Sequence, residues 1–212
     1  MHPTDKYRSF RQLVAVEKEG SSFQIRMKCV SPRIAIIVPH GGGIEAGTSE
    51  LAGALAANDF SLYCFEGLKA NGNHDLHITS TRFDEPKCIK LVEQSQIVVV
   101  IHGCGGKSET VYVGGRDENL KTKLIHAIQM AGINAVRDNT RHRGNDPRNI
   151  CNKGTSQRGV QLELTEALRQ KMFKSLYRND RKRMTSRFNR FISCVREALL
   201  EVNTVESSKL LT

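Results

Sequence analysis

Two runs of consecutive apolar residues constrain the fold of this chain more than any other feature of its sequence. The runs span residues 33–38 (RIAIIV) and 96–101 (QIVVVI), and β-branched residues predominate in both. A strand with one solvated face alternates apolar and polar residues, whereas a strand covered on both faces is apolar almost throughout. The two runs therefore predict central strands that are buried on both faces of a sheet.

Further apolar segments alternate with amphipathic ones, which is typical of an α/β sheet. We predict additional strands at residues 23–29, 61–65, 133–136 and 160–164. We predict helices at residues 5–17, 85–93 and 118–131, from Thr48 or Ser49 to about residue 57, and one or two more after the last strand, to about residue 202. Asp117 is suited to cap the helix at 118–131. The 212 residues fit one large domain, and the polar residues 138–158 are typical of a long functional loop.

A large excess of positive charge indicates an anionic partner. The chain carries a formal net charge of +10, and its sequence pI is about 9.5. Nucleic acid, an anionic membrane surface and an acidic polymer all fit this charge. Part of the excess lies in residues 171–190, which hold eight lysines and arginines. This stretch predicts either a solvated helix face or a docking surface for a polyanion.

Cysteine spacing and the N-terminal residues bear on the compartment. The six cysteines are irregularly spaced and form no C-x-x-C pair, so we expect thiols in a reducing compartment. Residues 1–6 contain no apolar signal region, and no window approaches eighteen uninterrupted apolar residues. We therefore expect a cytoplasmic protein without a membrane span, which lysis would release from the cell, and we favour a monomer.

The first apolar run is followed by a glycine-rich segment that carries a histidine and a glutamate. Residues 39–48 have the sequence PHGGGIEAGT, so His40 and Glu45 flank a run of glycines. Glycine lets the backbone turn tightly, so both side chains can converge on one ion. Imidazole nitrogen and carboxylate oxygen are ordinary zinc ligands. A phosphate-binding loop and a simple tight turn are the alternatives, although the segment lacks the patterns of a P-loop and of a dinucleotide-binding loop.

The second apolar run also ends in a histidine, His102. Sites in open α/β sheets gather at the carboxyl ends of strands, so two buried strands that each end in histidine favour a shared site. His40, Glu45 and His102 would form a set of two histidines and one glutamate with a position left open, as in catalytic zinc sites. We predict one zinc ion per chain. Cys104 is interpreted as a loop residue.

A third predicted strand presents a carboxylate. In residues 159–164 (GVQLEL), strand alternation places Val160, Leu162 and Leu164 on one face and Gln161 with Glu163 on the other. A carboxylate on a core strand needs a partner or a chemical role. Glu163 is therefore predicted to be either half of a buried salt bridge or a general base beside a metal site.

Several longer motifs occur in a fixed order along the chain. They are HGGGIEAGTSE at 40–50, SLY and FEG within 61–67, LHITST and FDEP within 76–86, IHG at 101–103, NICN at 149–152 and GVQLE at 159–163. Over roughly residues 5–175, the chain thereby resembles the phage-type poly-γ-glutamate hydrolase family of bacilli and their phages.

This resemblance implies a single-domain α/β fold similar to zinc carboxypeptidases, with a mixed sheet, helices on both faces and one zinc ion at the strand ends. It implies His40, Glu45 and His102 as ligands and Glu163 as the catalytic carboxylate. The spacing of His40 and Glu45 is wider than the His-x-x-Glu of classical carboxypeptidases. We expect residues 1–175 to form the zinc hydrolase domain and residues 176–212 to form a basic helical extension packed on the same domain.

Five residues are candidates for binding the substrate. Arg82 ranks first among the arginines, because a guanidinium offers paired donors that fit a carboxylate. Arg143, Arg148 and Arg158 in the predicted loop are weaker candidates, and ordinary surface charge is the alternative for each arginine. His77 is predicted to support the metal ligands or to bind substrate, with a packed strand histidine as the alternative.

The site residues predict a zinc-dependent amide hydrolase, and the resemblance implies that it cleaves the γ-glutamyl bonds of poly-γ-glutamate. Glu163 would take the proton of a water molecule and pass it to the leaving amine, while arginines hold the substrate's α-carboxylates. The enzymatic alternative is a zinc amidase that acts on cell-wall peptide or on a small acylated amino acid. The non-enzymatic alternative is a basic nucleic-acid-binding protein. Nucleic acid is not the expected partner, because no binding motif occurs and aromatic residues make up only 6% of the chain.

Overall fold

A seven-stranded mixed sheet forms the centre of the molecule, and helices cover both of its faces. The computed structural model describes residues 5–30, 33–138 and 143–209. The strands are β1 (Phe23–Lys28), β2 (Ile34–Gly42), β3 (Ser61–Gly67), β4 (Ile97–Cys104), β5 (Thr110–Gly115), β6 (Asn134–Arg137) and β7 (Val160–Thr165). Their order across the sheet is β1-β3-β2-β4-β7-β5-β6.

The helices follow the strands along the chain with few departures from the predicted boundaries. They are α1 (Phe10–Val14), α2 (Thr48–Ala56), α3 (Pro86–Glu93), α4 (Glu118–Met130), α5 (Glu166–Met172) and α6 (Ser186–Lys209). The Asp117 side chain accepts a hydrogen bond from the Leu120 N–H and caps α4 as predicted. By contrast, α2 begins after Gly47 without a side-chain cap, and neither Thr48 nor Ser49 serves as its cap.

The directions of the central strands decide where a site can form. β2, β4 and β7 are neighbours and run parallel, whereas β1 and β5 run antiparallel to β3 and β7 respectively. The carboxyl ends of β2, β4 and β7 therefore lie side by side at one edge of the sheet. This is the edge at which open α/β sheets bind ligands.

Strand alternation divides the apolar side chains between two cores. On β2, Ile34, Ile36 and Val38 pack with apolar residues of α2, α4, α5 and α6, whereas Ala35 and Ile37 pack with those of α1 and α3. These five side chains are at most 1% exposed. Full burial of an aliphatic side chain stabilises the fold by about 1.5–3 kcal/mol relative to leaving it exposed. Because β2 buries side chains in both cores, it is held in place from both faces of the sheet.

Two segments differ from the predicted secondary structure. Residues 110–115 form β5, which the sequence pattern does not predict, because this strand depends on pairing with β6 and β7, far away in sequence. The helix predicted at residues 5–17 is reduced to α1. The Asp5 carboxylate accepts a hydrogen bond from the Thr79 N–H, and α1 begins only after Ser9, whose side chain caps it.

The C-terminal helix is packed against the sheet. Phe188, Phe191, Val195 and Leu199 of α6 are buried in the same core as α2 and α4. The division at residue 175 stays a prediction. Within the described residues, none of the helices combines the length and apolarity that crossing a membrane requires.

Candidate metal centre and active-site cleft

A cleft of about 870 Å³ opens at the edge where β2, β4 and β7 end. Side chains from all three strands reach into it, together with residues of the loops before α2 and after β6. Six of its lining residues carry the chemistry considered below: His40, Glu45, His77, His102, Glu163 and Arg169. The cleft therefore collects groups that are widely separated in sequence.

A β-bulge determines which way His40 faces. Val38 pairs with Cys64 of β3 and Gly41 pairs with Glu66, so β2 uses one residue more than β3 over this interval. The extra residue reverses the alternation, and His40 faces the core that contains Ile37. Its ring stands edge-on to Phe83 of that core, with 6.4 Å between ring centroids. His40 thereby shares a face with residues from β4 and β7.

Ligand-type atoms of three side chains, His40, Glu45 and His102, converge at the base of the cleft. Nδ1 of His40 lies 3.0 Å from Oε1 of Glu45 and 3.1 Å from Nδ1 of His102. Nδ1 of His102 lies 3.5 Å from Oε2 of Glu45. Zinc–nitrogen and zinc–oxygen bonds near 2.0–2.1 Å place tetrahedral ligands about 3.3 Å apart. The observed separations fit that value.

Nε2 of each imidazole, the ring nitrogen on the side away from the ligand set, also has a hydrogen-bonding partner. Nε2 of His40 lies 2.8 Å from the carbonyl oxygen of Ile78, which only accepts, so this nitrogen is the donor. Nε2 of His102 lies 3.0 Å from the Ser80 hydroxyl. When both rings carry their proton on Nε2, two nitrogen lone pairs and a carboxylate face one another without a proton between them. Such a set of acceptors suits a cation, and outer partners of this kind orient histidine ligands.

Backbone contacts fix Glu45 in this arrangement. The Gly103 N–H donates to Oε2 of Glu45 over 2.8 Å, and the Glu45 N–H donates to the carbonyl of His40. At Gly42 the backbone φ is +65°, and an added Cβ would lie 2.5 Å from the carbonyl oxygen of Gly67. Only glycine fits there. The glycine run therefore brings β2 close to β3 and turns the chain so that Glu45 returns to His40.

His77 lies beside this group. Its ring stacks on that of His40 with centroids 3.9 Å apart, and its Nε2 lies 4.0 Å from Oε1 of Glu45. Its Nδ1 lies 2.7 Å from the Asp5 carboxylate. Ligand-type atoms of His40, Glu45 and His77 all lie within 4.8 Å of one another, which makes His77 a second candidate for the third ligand. We favour His102, because its Nδ1 lies 3.1 Å from Nδ1 of His40 and 3.5 Å from the Glu45 carboxylate, which is closer to Glu45 than His77 comes.

Glu163 stands next to the ligand set. It pairs in register with His102, so the two side chains project from neighbouring strands on the same face. The Gln161 amide donates to Oε1 of Glu163 over 3.4 Å, and the Asn149 amide donates to Gln161 over 2.9 Å. Gln161 and Glu163 line the cleft, while Val160, Leu162 and Leu164 lie in the core, as the alternation predicts.

The pKa values of the two cleft carboxylates are shifted in opposite directions. Burial raises the pKa of Glu45, but His40 and His102 outweigh burial, so this pKa lies well below its ordinary value. Burial raises the pKa of Glu163 to about 7, because the attraction of His102 does not offset it and Glu45 adds to it. Two carboxylates whose environments shift their pKa values in opposite directions are suited to different roles. Glu45 is suited to bind a cation, and Glu163 to exchange a proton.

Comparison with known proteins identifies the relatives of this chain. The family model described as poly-gamma-glutamate hydrolase matches residues 7–194. The chain belongs to the poly-γ-glutamate hydrolase family. This confirms the family predicted from the sequence motifs, and the match extends beyond residue 175, where the motif resemblance ends.

Individual proteins are similar to the chain in sequence or in fold. The SPbeta prophage-derived protein YoqZ of Bacillus subtilis is 39% identical over 171 residues, which are 80% of this chain and 62% of YoqZ. The structure of a bacteriophage poly-γ-glutamate hydrolase has 32% identity and a TM-score of 0.93, covering 95% of this chain and all of that chain. Zinc-free YndL has 36% identity and a TM-score of 0.87, covering 92% and 98%. These likenesses confirm the predicted fold class.

The predicted substrate-binding arginines of this family member lie in different surroundings. Arg143 lines the cleft, whereas Arg82, Arg148 and Arg158 are not among the residues that line it. Arg82 donates to the Asp5 carboxylate over 2.5 Å, and Arg148 is exposed and paired with Asp146. Arg158 is also exposed. The substrate roles of all four arginines stay predictions.

Three residues of the cleft region were not predicted from the sequence. Asp5 falls within a predicted helix, Ser80 has no distinguishing pattern, and Arg169 resembles an ordinary basic residue near a helix end. In the structure, Asp5 holds His77, Ser80 contacts His102, and Arg169 is buried at the floor of the cleft. For these three residues, the one sequence signal is the motif LHITST, which contains Ser80 together with His77.

Proposed function

We propose that this chain is a zinc-dependent hydrolase that cleaves the γ-glutamyl amide bonds of poly-γ-glutamate. The observation that carries the proposal is the convergence of Nδ1 of His40, Nδ1 of His102 and the Glu45 carboxylate, with Glu163 on the same face. Membership of the poly-γ-glutamate hydrolase family supports the substrate. The relative YndL, described as zinc-free in its solved form, supports the choice of metal.

In this proposal His40, Glu45 and His102 hold one zinc ion. When bound, zinc supplies Lewis-acid polarisation of the scissile amide carbonyl. The Ile78 carbonyl and the Ser80 hydroxyl orient the two imidazoles, and the Gly103 N–H orients Glu45. The ligands are therefore held in place by backbone and side-chain contacts.

Glu163 is the general base in this proposal. It accepts a proton from the water that attacks the amide carbon and then donates that proton to the leaving amine nitrogen. Its buried position raises its pKa, and a raised pKa helps a carboxylate both to accept and to release a proton. The hydrogen bond from Gln161 holds Oε1, so that the carboxylate has a defined orientation.

The substrate is a polyanion with one free α-carboxylate for each γ-linked residue. The net charge of +10 favours its capture, and this contribution weakens as salt concentration rises. Arg143 lines the cleft and is placed to contact a carboxylate near the scissile bond. Arg82, Arg148, Arg158 and His77 are further proposed contacts for the chain on either side.

The decisive experiment is a cleavage assay with a linkage control. Purified protein is incubated with poly-γ-glutamate and, separately, with α-linked polyglutamate, and chain length is followed by size-exclusion chromatography. Each reaction is repeated after chelator treatment and after zinc is restored. We expect shortening of the γ-linked polymer alone, lost with chelator and recovered with zinc. Cleavage that persists without metal, or cleavage of the α-linked polymer alone, would contradict the proposal.

A further inference from the structure

Arg169 of α5 is a buried cation at the floor of the cleft. The residue is only 6% exposed, and its guanidinium lies directly against Gly103, where an added Cβ would stand 2.7 Å from Cζ. Within the described parts of the chain, no carboxylate lies within ion-pair distance of it. Instead, its three nitrogens donate to backbone carbonyls: Nε to Leu164 over 3.1 Å, Nη1 to Ala46 over 2.6 Å and Nη2 to Cys104 over 3.1 Å.

The three carbonyls belong to the three segments that carry the proposed site. Leu164 follows Glu163 at the end of β7, and Ala46 follows Glu45 in the loop before α2. Cys104 ends β4, two residues after His102. One side chain therefore ties together chain segments that are otherwise separated by more than fifty residues.

We propose that Arg169 is a positioning residue that fixes Glu45, His102 and Glu163 relative to one another and thereby sets the affinity for zinc. This inference rests on the proposed function. Arginine is suited to the task because its planar guanidinium donates in several fixed directions at once, whereas a lysine ammonium is a compact charge that cannot span the three carbonyls in the same geometry.

The position of the charge supports this role. A buried guanidinium without an ion-paired carboxylate is costly unless its donors find acceptors, and here backbone carbonyls accept one hydrogen bond from each of its three nitrogens. The cation also lies near two carboxylates of the site, Glu45 and Glu163, and attracts both. Arg169 therefore offsets part of the negative charge of the ligand set without occupying a ligand position.

The test compares Arg169→Met and Arg169→Lys with the parent protein. Zinc dissociation constants are measured by competition with a chromophoric chelator at a temperature where each protein is folded, and kcat and KM are measured on poly-γ-glutamate. Residues that support metal ligands typically change metal affinity by about 10–100-fold, and we expect a loss in that range for Arg169→Met. Arg169→Lys should lose zinc affinity as well, because it keeps the charge but not the three-way contact.

Arg181→Met is the matched control. Arg181 is also buried, at 5% exposed, and its guanidinium contacts Glu50 and the carbonyl of Leu176, none of which belongs to the ligand set. Its loss should lower the melting temperature without a comparable change in zinc affinity. A further arm measures Arg169→Ala with added guanidinium ion, which should restore part of the zinc affinity by filling the vacated position.

The outcomes separate the inference from the proposed function. If the parent protein binds no zinc and cleaves no poly-γ-glutamate, the proposed function fails, and the inference fails with it. If the parent binds zinc and the zinc dissociation constant of every folded Arg169 variant lies within about threefold of the parent's, only the inference fails. If Arg169→Met does not fold, Arg169→Lys and the guanidinium arm decide. An equal loss of zinc affinity in Arg181→Met would also overturn the inference, since general destabilisation would then explain the effect.

Discussion

The two sides of the cleft differ in how their side chains are held. On the sheet side, His40, His102 and Glu163 are at most 8% exposed, and each has hydrogen-bonding partners that define its orientation. On the loop side, Arg143 and Arg148 are exposed, and the Arg148 guanidinium is held by Asp146, only two residues away. His40, His102 and Glu163, which are proposed to act at the metal, lie on strands, whereas Arg143 and Arg148, which are proposed to contact the polymer, lie on a loop. Substitutions on the sheet side should therefore have the larger effects.

The largest effect is expected for His102→Ala. Removal of one ligand should leave the protein with well under one zinc per chain and lower kcat by about 10³-fold, because the metal stabilises the transition state by several kcal/mol. Zinc content by atomic emission and kcat on poly-γ-glutamate check this. His77→Ala is the comparison, and it should retain most of its zinc. Loss of zinc from His77→Ala but not from His102→Ala would exchange the roles of these two histidines.

Glu163→Gln should have the next largest effect. The amide keeps the size and hydrogen bonding of the side chain but removes its basicity, so kcat should fall by at least about 10²-fold while zinc stays bound. Glu166→Gln is the control, since Glu166 is an exposed carboxylate at the start of α5 that also lines the cleft. Near-normal turnover in Glu163→Gln would show that the base lies elsewhere, and loss of zinc would make Glu163 a ligand.

A smaller effect is expected on the loop side. Arg143→Ala should raise KM for poly-γ-glutamate by about tenfold, because one charge-assisted contact is worth roughly 1.5 kcal/mol. Arg148→Ala should raise KM less, since Asp146 already holds its guanidinium. Arg190→Ala removes one positive charge beside the groove between α4 and α6 and controls for net charge. Equal KM values in Arg143→Ala and Arg190→Ala would mean that Arg143 acts only through net charge.

The smallest effect on activity is expected at Asp5, which supports the loop of His77 and acts on stability. Burial raises its pKa, but hydrogen bonds from Thr79 and His77 outweigh burial and lower it to about 2. Because this lies below the unfolded value near 3.9, ionised Asp5 stabilises the fold above about pH 4, and that contribution is lost as the pH falls towards 2. Asp5→Asn should therefore cost about 1–2 kcal/mol at pH 7 and little at pH 2.

Urea unfolding of the parent protein and of Asp5→Asn at several pH values checks this last prediction. Lys6→Ala is the control, because Lys6 forms an exposed ion pair with Asp75 next to the same segment. A stability difference between the parent and Asp5→Asn that stays constant from pH 7 to pH 2 would contradict the assigned titration.

Local sequence patterns are sufficient to predict the strands that carry the site. The runs at 33–38 and 96–101 predict β2 and β4, and the alternation in 160–164 predicts which face of β7 Glu163 occupies. Burial on one or both faces of a strand leaves a signature with a period of two residues, which a single sequence displays. The strand ends and the family motifs both predict the ligand set, and the structure brings its three side chains together.

Only the tertiary structure decided the contacts between segments that are distant in sequence. The bulge that turns His40 towards His102 depends on pairing with β3, and β5 exists because β6 and β7 pair with it. The contacts of Arg169 with two strand ends and with the loop before α2 leave no periodic trace in the sequence, since each is made to a backbone carbonyl. Hydrogen bonds to the backbone do not depend on the identity of the accepting residue, so they become visible only when the chain is folded.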